Sequence, residues 1–250
     1  MIIDHTGEVW ANSIPDSFAL RLAGRIAFPI YAFMIAEGCR HTKNIKKYML
    51  RLGAFALISE IPFDLCFENA RISGLNDLTF LSFSYQNIFF NLFLAVSAIY
   101  IYELLKGKKY GFTGFLAFPA AMAAAELLNA DYGAYAVPII AALYFCKPSP
   151  DAAKDSGTGP GLYKIKAARA VIMIAGAAAI YLPDRESMVF LYGRVISIGI
   201  YAFLFACVPA VLVLFYNGRR GSGLKYFFYL MYPLHLLILA AAHIYMQLIT

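Results

Sequence analysis

Apolar segments of membrane-spanning length, parted by short polar breaks, follow one another along this chain. They are GRIAFPIYAFMIAEGCR (24–40), YMLRLGAFALISEIPFDLCF (48–67), NIFFNLFLAVSAIYIYELL (87–105) and GFTGFLAFPAAMAAAELLN (111–129). A shorter run, YGAYAVPIIAALYF (132–145), precedes IKAARAVIMIAGAAAIYL (165–182), VFLYGRVISIGIYAFLFACVPAVLVLFY (189–216) and KYFFYLMYPLHLLILAAAHIYMQLI (225–249). A helix needs roughly 20 apolar residues to cross a bilayer, and every backbone polar group inside it must be paired within the protein. Composition agrees: 61% of the 250 residues are hydrophobic and 14% charged, where soluble domains carry about 25% charge. So much apolar surface cannot face one compact core, and lipid is the expected solvent. The predicted fold is all-α, a polytopic transmembrane bundle of about nine helices (roughly eight to ten). It is predicted as a single domain over 1–250, with the first helix apparently truncated.

The basic residues alternate from side to side. With the N-terminus cytoplasmic, the inner loops carry Arg40, Lys43, Lys46 and Lys47, then Lys106, Lys108 and Lys109. Further inner loops carry Lys147, Lys154, Lys164, Lys166 and Arg169, then Arg219, Arg220 and Lys225. Every basic residue left over (Arg21, Arg25, Arg51, Arg71, Arg185, Arg194) is Arg. This is the positive-inside pattern, and it accounts for the net charge of +6 without a nucleic-acid partner, which would need one contiguous basic face. The Pro/Gly/Ser-rich stretch beginning KPSPDAAKDSGTGPG predicts a flexible cytoplasmic loop over 147–163. Cys39, Cys66, Cys146 and Cys207 lie in or beside apolar runs with no His at ligand spacing, so no metal is expected.

Ionisable groups at membrane depth are costly and face the bundle interior or a water-filled cavity. Here they converge on one level, between the midplane and the outer face. Asp4 and His5 stand in the first helix, Arg21 and Arg25 before and at the start of the second, and Ser59, Glu60 and Asp64 in SEIPFD. Gln86 and Asn87 start the next segment, Asp131 and Tyr132 sit in NADYG, and His235 lies in FYLMYPLHLL. The pattern predicts a polar cavity near the outer side, with the acids facing Arg21 and Arg25. Glu37, Arg40 and His41 form a smaller inner cluster.

Each piece also has a plainer reading: an interfacial polar pair at 4–5, a helix clamp at 60 and 64, a kink at Pro62, a turn at 131, an interhelical hydrogen bond at 235. Histidine is the group best suited to proton transfer near neutral pH. Adjacent helical residues diverge by about 100°, so His5 is expected to find its orienting partner on another helix rather than in Asp4. Arginines at that level suit an anion or a developing oxyanion.

DHTG, RLAGRIAFPIYAFMIAEGCRHTKN, YMLRLGAFALISEIPFDL, NIFFNL, DYG and KYFFYLMYPLHLL together resemble the TraX family, bacterial membrane proteins named for the F-plasmid pilin acetylase. The resemblance covers almost the whole chain. It implies an integral-membrane acyltransferase moving an acetyl group from cytoplasmic acetyl-CoA to an acceptor at the outer face, a protein N-terminus, glycan or lipid. It implies a bacterial inner-membrane location with a cytoplasmic N-terminus. The first-helix histidine of that class falls on His5, as general base or transient acyl carrier, with Asp4 in the same motif. Arg21, Arg25, Glu37, His41, Glu60, Asp64, Asn87, Asp131, Tyr232 and His235 fall on other shared motifs. Asn91 stands where a small hydroxyl residue is common, and most of a helix is expected ahead of DHTG, so the natural start is expected upstream of Met1. The alternatives are a transporter or flippase for an anionic substrate and a non-catalytic membrane component of a conjugation machine.

Overall fold

The fold is described from a computed structural model that places residues 1–11, 17–71, 82, 84–147, 160–184, 188–191, 194–217 and 225–249. Of the loop predicted over 147–163, residues 148–159 lie outside the described residues. The described residues are mostly helical, as the apolar segments require, with ten α-helices among them. They are α1 (Ile2–Val9), α2 (Ser17–Gly24), α3 (Ala27–His41), α4 (Ile45–Arg71) and α5 (Ile88–Leu105). These are followed by α6 (Ala117–Leu127), α7 (Ala136–Phe145), α8 (Pro160–Tyr181), α9 (Ile198–Leu214) and α10 (Lys225–Ile249). Among the described residues three stretches, Ser17–His41, Ile88–Leu105 and Tyr226–Ile249, are long and apolar enough to cross a membrane.

One departure from the sequence expectation has a physical cause. The segment predicted as one helix over 189–216 is helical only from Ile198; before it, β1 (Met188–Leu191) pairs antiparallel with β2 (Arg194–Ser197), Val189 opposite Ile196. The stretch VFLYGRVIS is aromatic and β-branched around Gly193, and such a run suits a pleated ribbon better than a helix. Pro62, by contrast, lies inside one continuous helix, as the single segment predicted over 48–67 requires. Helix α4 runs through it for 27 residues, since a membrane helix can accommodate a proline where neighbours satisfy the freed carbonyl.

The chain divides into two compact units. The first holds α1, α2, α4, α5, α6 and α10. In it α10 and α5 flank α4, while α1 lies along α2. That last approach is glycine-dependent. A Cβ on Gly7 would stand 2.8 Å from the Ser17 carbonyl oxygen, and one on Gly24 would collide with Asp4. The start of α5 is fixed by its own sequence: Asn87 is the N-cap, its Oδ1 accepting from the Phe89 amide at 3.0 Å. The second unit holds α3, α7, α8, the hairpin and α9, with α9 packed along α8 and α7 along α3.

Candidate functional site

In the first unit α1 delivers His5 to α10. His5 Nδ1 lies 2.8 Å from His235 Nε2, and His235 Nδ1 lies 2.7 Å from the Met231 carbonyl oxygen. The rings are 5.0 Å apart and inclined by 13°, the spacing of two imidazoles meeting edge to edge in one plane, not face to face. The order of donors follows. A carbonyl can only accept, so in the neutral pair the His235 proton sits on Nδ1; Nε2 then accepts from His5 Nδ1–H, and His5 Nε2 keeps its lone pair. His235 is buried and His5 only partly so, which leaves the outer imidazole of the relay within reach of a ligand. Phe67 meets the His5 ring edge-on at 5.1 Å and Tyr232 at 6.1 Å, holding its plane. Asp4, next in sequence, packs instead against Gly24 on α2, and Arg21 of α2 pairs with Glu8.

At the same end of this unit α4 and α5 bury a second polar group. The Asn87 amide donates to the Ala56 carbonyl at 2.9 Å and to Glu60 Oε2. Glu60 Oε1 and Ser59 Oγ, both buried, have no hydrogen-bond partner among the described residues. One turn further along α4, Asp64 accepts from the Ser82 amide at 2.5 Å. The Tyr85 hydroxyl donates to Asp131 at 2.7 Å, and Asn91 clasps the following turn: its Oδ1 takes the Tyr132 amide at 3.1 Å and its Nδ2 donates to the Gly133 carbonyl at 2.9 Å. An isolated bridge between Gln86 and Ala130 completes this rim. Aromatic rings connect the groups, from His5 through Phe67 and Phe63 to Tyr85. Four helices and a loop thus bring His5, His235, Tyr232, Ser59, Glu60, Asp64, Asn87, Asp131 and Tyr132 to one end of the unit.

A third polar group, around Glu37, lies in the second unit. Arg40 pairs with Glu37 and donates to carbonyls at the end of α7: Leu143, Tyr144 (3.2 Å from Nε) and Cys146 (3.1 Å). Arg169, one of the inner-loop residues on sequence grounds, turns out to be buried: it reaches Glu37 at 3.0 Å and the Cys146 carbonyl at 3.1 Å. His41 and the Tyr216 hydroxyl stand 3.3 and 3.4 Å from the other Glu37 oxygen. Arg25, also in this unit, lies over the Tyr181 ring at 5.9 Å.

The family model described as TraX protein matches residues 1–242. This chain belongs to the TraX family. A probable fimbrial assembly protein FimC, serogroup H1, of Dichelobacter nodosus is 28% identical over 250 residues, covering 99% of this chain and 92% of that protein. No solved structure matches. The apolar helices and the TraX membership together make this a membrane protein.

Of the motifs that carry the TraX resemblance, those at 4–5, 59–64, 86–91, 131–132 and 232–235 all lie in the first unit, while Glu37, His41 and Arg25 lie in the second. Sequence reasoning missed several contributors, Tyr85, Phe67 and Arg169 among them. Phe67, against His5, is one more aromatic in an apolar run and carries no signal. Arg169 did carry one: it sits ten residues into an apolar-rich helix, where an exposed loop cation would not stand.

Proposed function

We propose that this TraX chain is an integral-membrane acyltransferase in which His5 is the general base and His235 its orienting partner. The observation that carries the reading is the directed relay from the Met231 carbonyl through His235 to His5, which leaves one basic nitrogen on a half-buried ring. A base oriented by a second group is the arrangement that activates a weak nucleophile. In this reading His5 Nε2 takes the proton from an acceptor amine or hydroxyl as that group attacks the acyl carbonyl. The C–N or C–O bond forms, the C–S bond of the thioester breaks, and the thiol leaves with a proton. His235 holds the His5 tautomer and shares the charge the base acquires.

Acetyl-CoA, when bound, would supply the activated acetyl group, as the family resemblance implies. Arg40 is engaged with Glu37 and the α7 carbonyls, so in the first unit the cationic groups for its phosphates would be Lys46, Lys47, Lys106, Lys108 and Lys109. These flank the start of α4 and the end of α5 and are solvent-facing. Phe67 lies some 20 residues further along α4, about 30 Å at helical rise. The lysines and His5 therefore belong to opposite membrane levels, which suits a donor entering from one side and an acceptor from the other. A bacterial inner-membrane location with the lysine end cytoplasmic fits this arrangement. The acceptor would be a protein N-terminus, a glycan or a lipid, and the FimC relative's name, a fimbrial assembly protein, favours work on fimbriae.

The test is transfer of labelled acetyl from acetyl-CoA by the full chain in proteoliposomes, with membrane fractions as acceptor pool. His5→Ala is expected to abolish label in every acceptor while leaving unfolding temperature unchanged. Transfer that persists in His5→Ala would remove the base from the scheme.

A further inference from the structure

We propose that the second unit carries a binding site for one anionic phospholipid, seated between α3 and α9. An apolar groove of about 240 Å³ runs there, lined by Ile30, Phe33, Pro209, Leu212, Val213 and Tyr216. It is smaller than the roughly 300–1,000 Å³ of pockets that enclose whole ligands, and its lining is almost wholly apolar, so it suits a length of acyl chain and excludes a headgroup. Pro209 lies within α9 and brings no amide hydrogen to the groove wall.

One end of the groove is polar. Phe33 and Tyr216 line it, and behind them stand Glu37, Arg40, Arg169 and His41: Tyr216 donates to Glu37, and the Arg169 guanidinium lies over the Phe33 ring at 5.6 Å. Two arginines face one carboxylate, so the protein behind that end carries an excess of positive charge. The same end of the unit, where α3 and α7 stop and α8 begins, exposes Lys43, Lys147 and Lys164, with Lys166 half-exposed. Cys146 against the Ile165 carbonyl at 3.8 Å fixes the α7 end beside the α8 start. An apolar channel opening onto a cationic rim matches an anionic lipid, with chain in the groove and phosphate on the lysines; near a membrane surface each such cation favours anionic over neutral lipid several-fold. The site shares no residue with the His5 relay and does not rest on the acyltransferase reading.

The full chain, delipidated in detergent and titrated with phosphatidylglycerol or phosphatidylcholine, would be read by native mass spectrometry. Phosphatidylglycerol is expected to bind about tenfold more tightly at one saturable site. Leu212→Trp, at an exposed position, fills the groove and should remove that adduct. Lys164→Glu with Lys166→Glu, away from the packed helix contacts, should bring phosphatidylglycerol down to the phosphatidylcholine level. A photoactivatable acyl chain should label peptides of α3 and α9. Equal binding of the two lipids, labelling elsewhere, an unchanged adduct in a folded Leu212→Trp, or one-for-one displacement by palmitoyl-CoA would each overturn the proposal, the last by assigning the groove to an acyl donor.

Discussion

His235 stands 230 residues from His5 in the chain and 2.8 Å from it in space. Because His235 is itself fixed by the Met231 carbonyl, removing it leaves the base in place but takes away the partner that sets its tautomer and shares its charge. His5→Ala should lower acetyl transfer by at least about 100-fold, the usual worth of a positioned base. His235→Ala should lower kcat by about 10-fold or more with KM little changed. His235→Gln, which can still present an acceptor to His5 Nδ1, should recover part of that loss. Initial rates in proteoliposomes decide it; a wild-type kcat in His235→Ala would end the orienting role.

Asn87 holds three partners at once, the Ala56 carbonyl, Glu60 and the Phe89 amide. Asn87→Ala deletes the α5 cap, worth about 1 kcal/mol, and strands buried acceptors at about 1–3 kcal/mol. Its unfolding temperature in detergent should fall well below that of Glu60→Gln, which leaves Asn87 an oxygen to bond. Equal shifts would show that the Asn87 contacts carry no separate weight.

Gly24→Ala puts a methyl group into the Asp4 side chain, where α1 meets α2. The neighbour is a short side chain close to its own backbone, so α1 must shift. Susceptibility of α1 to limited proteolysis should rise, and with it His5 should lose its register with His235. A double variant, Gly24→Ala with Asp4→Gly, should recover the protease resistance; failure to do so would place the strain elsewhere.

Glu37 pairs with both Arg40 and Arg169. Glu37→Ala leaves two mostly buried guanidinium groups facing each other, and breaking such a pair costs about 3–5 kcal/mol. Arg169→Met leaves Arg40 to pair with Glu37 and should cost clearly less. Denaturant or thermal unfolding of the two variants tests the order, and a milder Glu37→Ala would contradict it.

The membrane character, the helical class and the layer of polar residues were legible because each is a local property of the chain: an apolar run long enough to span, or an ionisable residue inside one. Met188–Ser197 was not, because VFLYGRVIS is apolar enough to read as helix and its β-branched residues are ambiguous at that length. The partner of His5 was legible only as a requirement. Adjacent residues on a helix point apart, so Asp4 could not serve; His235 stands among the candidates at that level, but nothing in the chain chooses it over Glu60, Asp64 or Asp131 as the partner before the helices are packed. Arg40 shows the converse. Its place beside Glu37 was plain from the spacing of three, while its hold on carbonyls more than a hundred residues away depends on where α7 ends.

That hold bears on how the protein is made. Helix α7 has ten residues, about 15 Å at helical rise, half of what a bilayer core demands. On its own it would leave peptide carbonyls facing hydrocarbon, and a translocon handling it alone would have no reason to release it sideways into lipid. Arg40 belongs to a helix synthesised 104 residues earlier than Tyr144. The order of translation thus provides the cation before the segment that needs it, and a chain rearranged to make α7 first should stall at insertion.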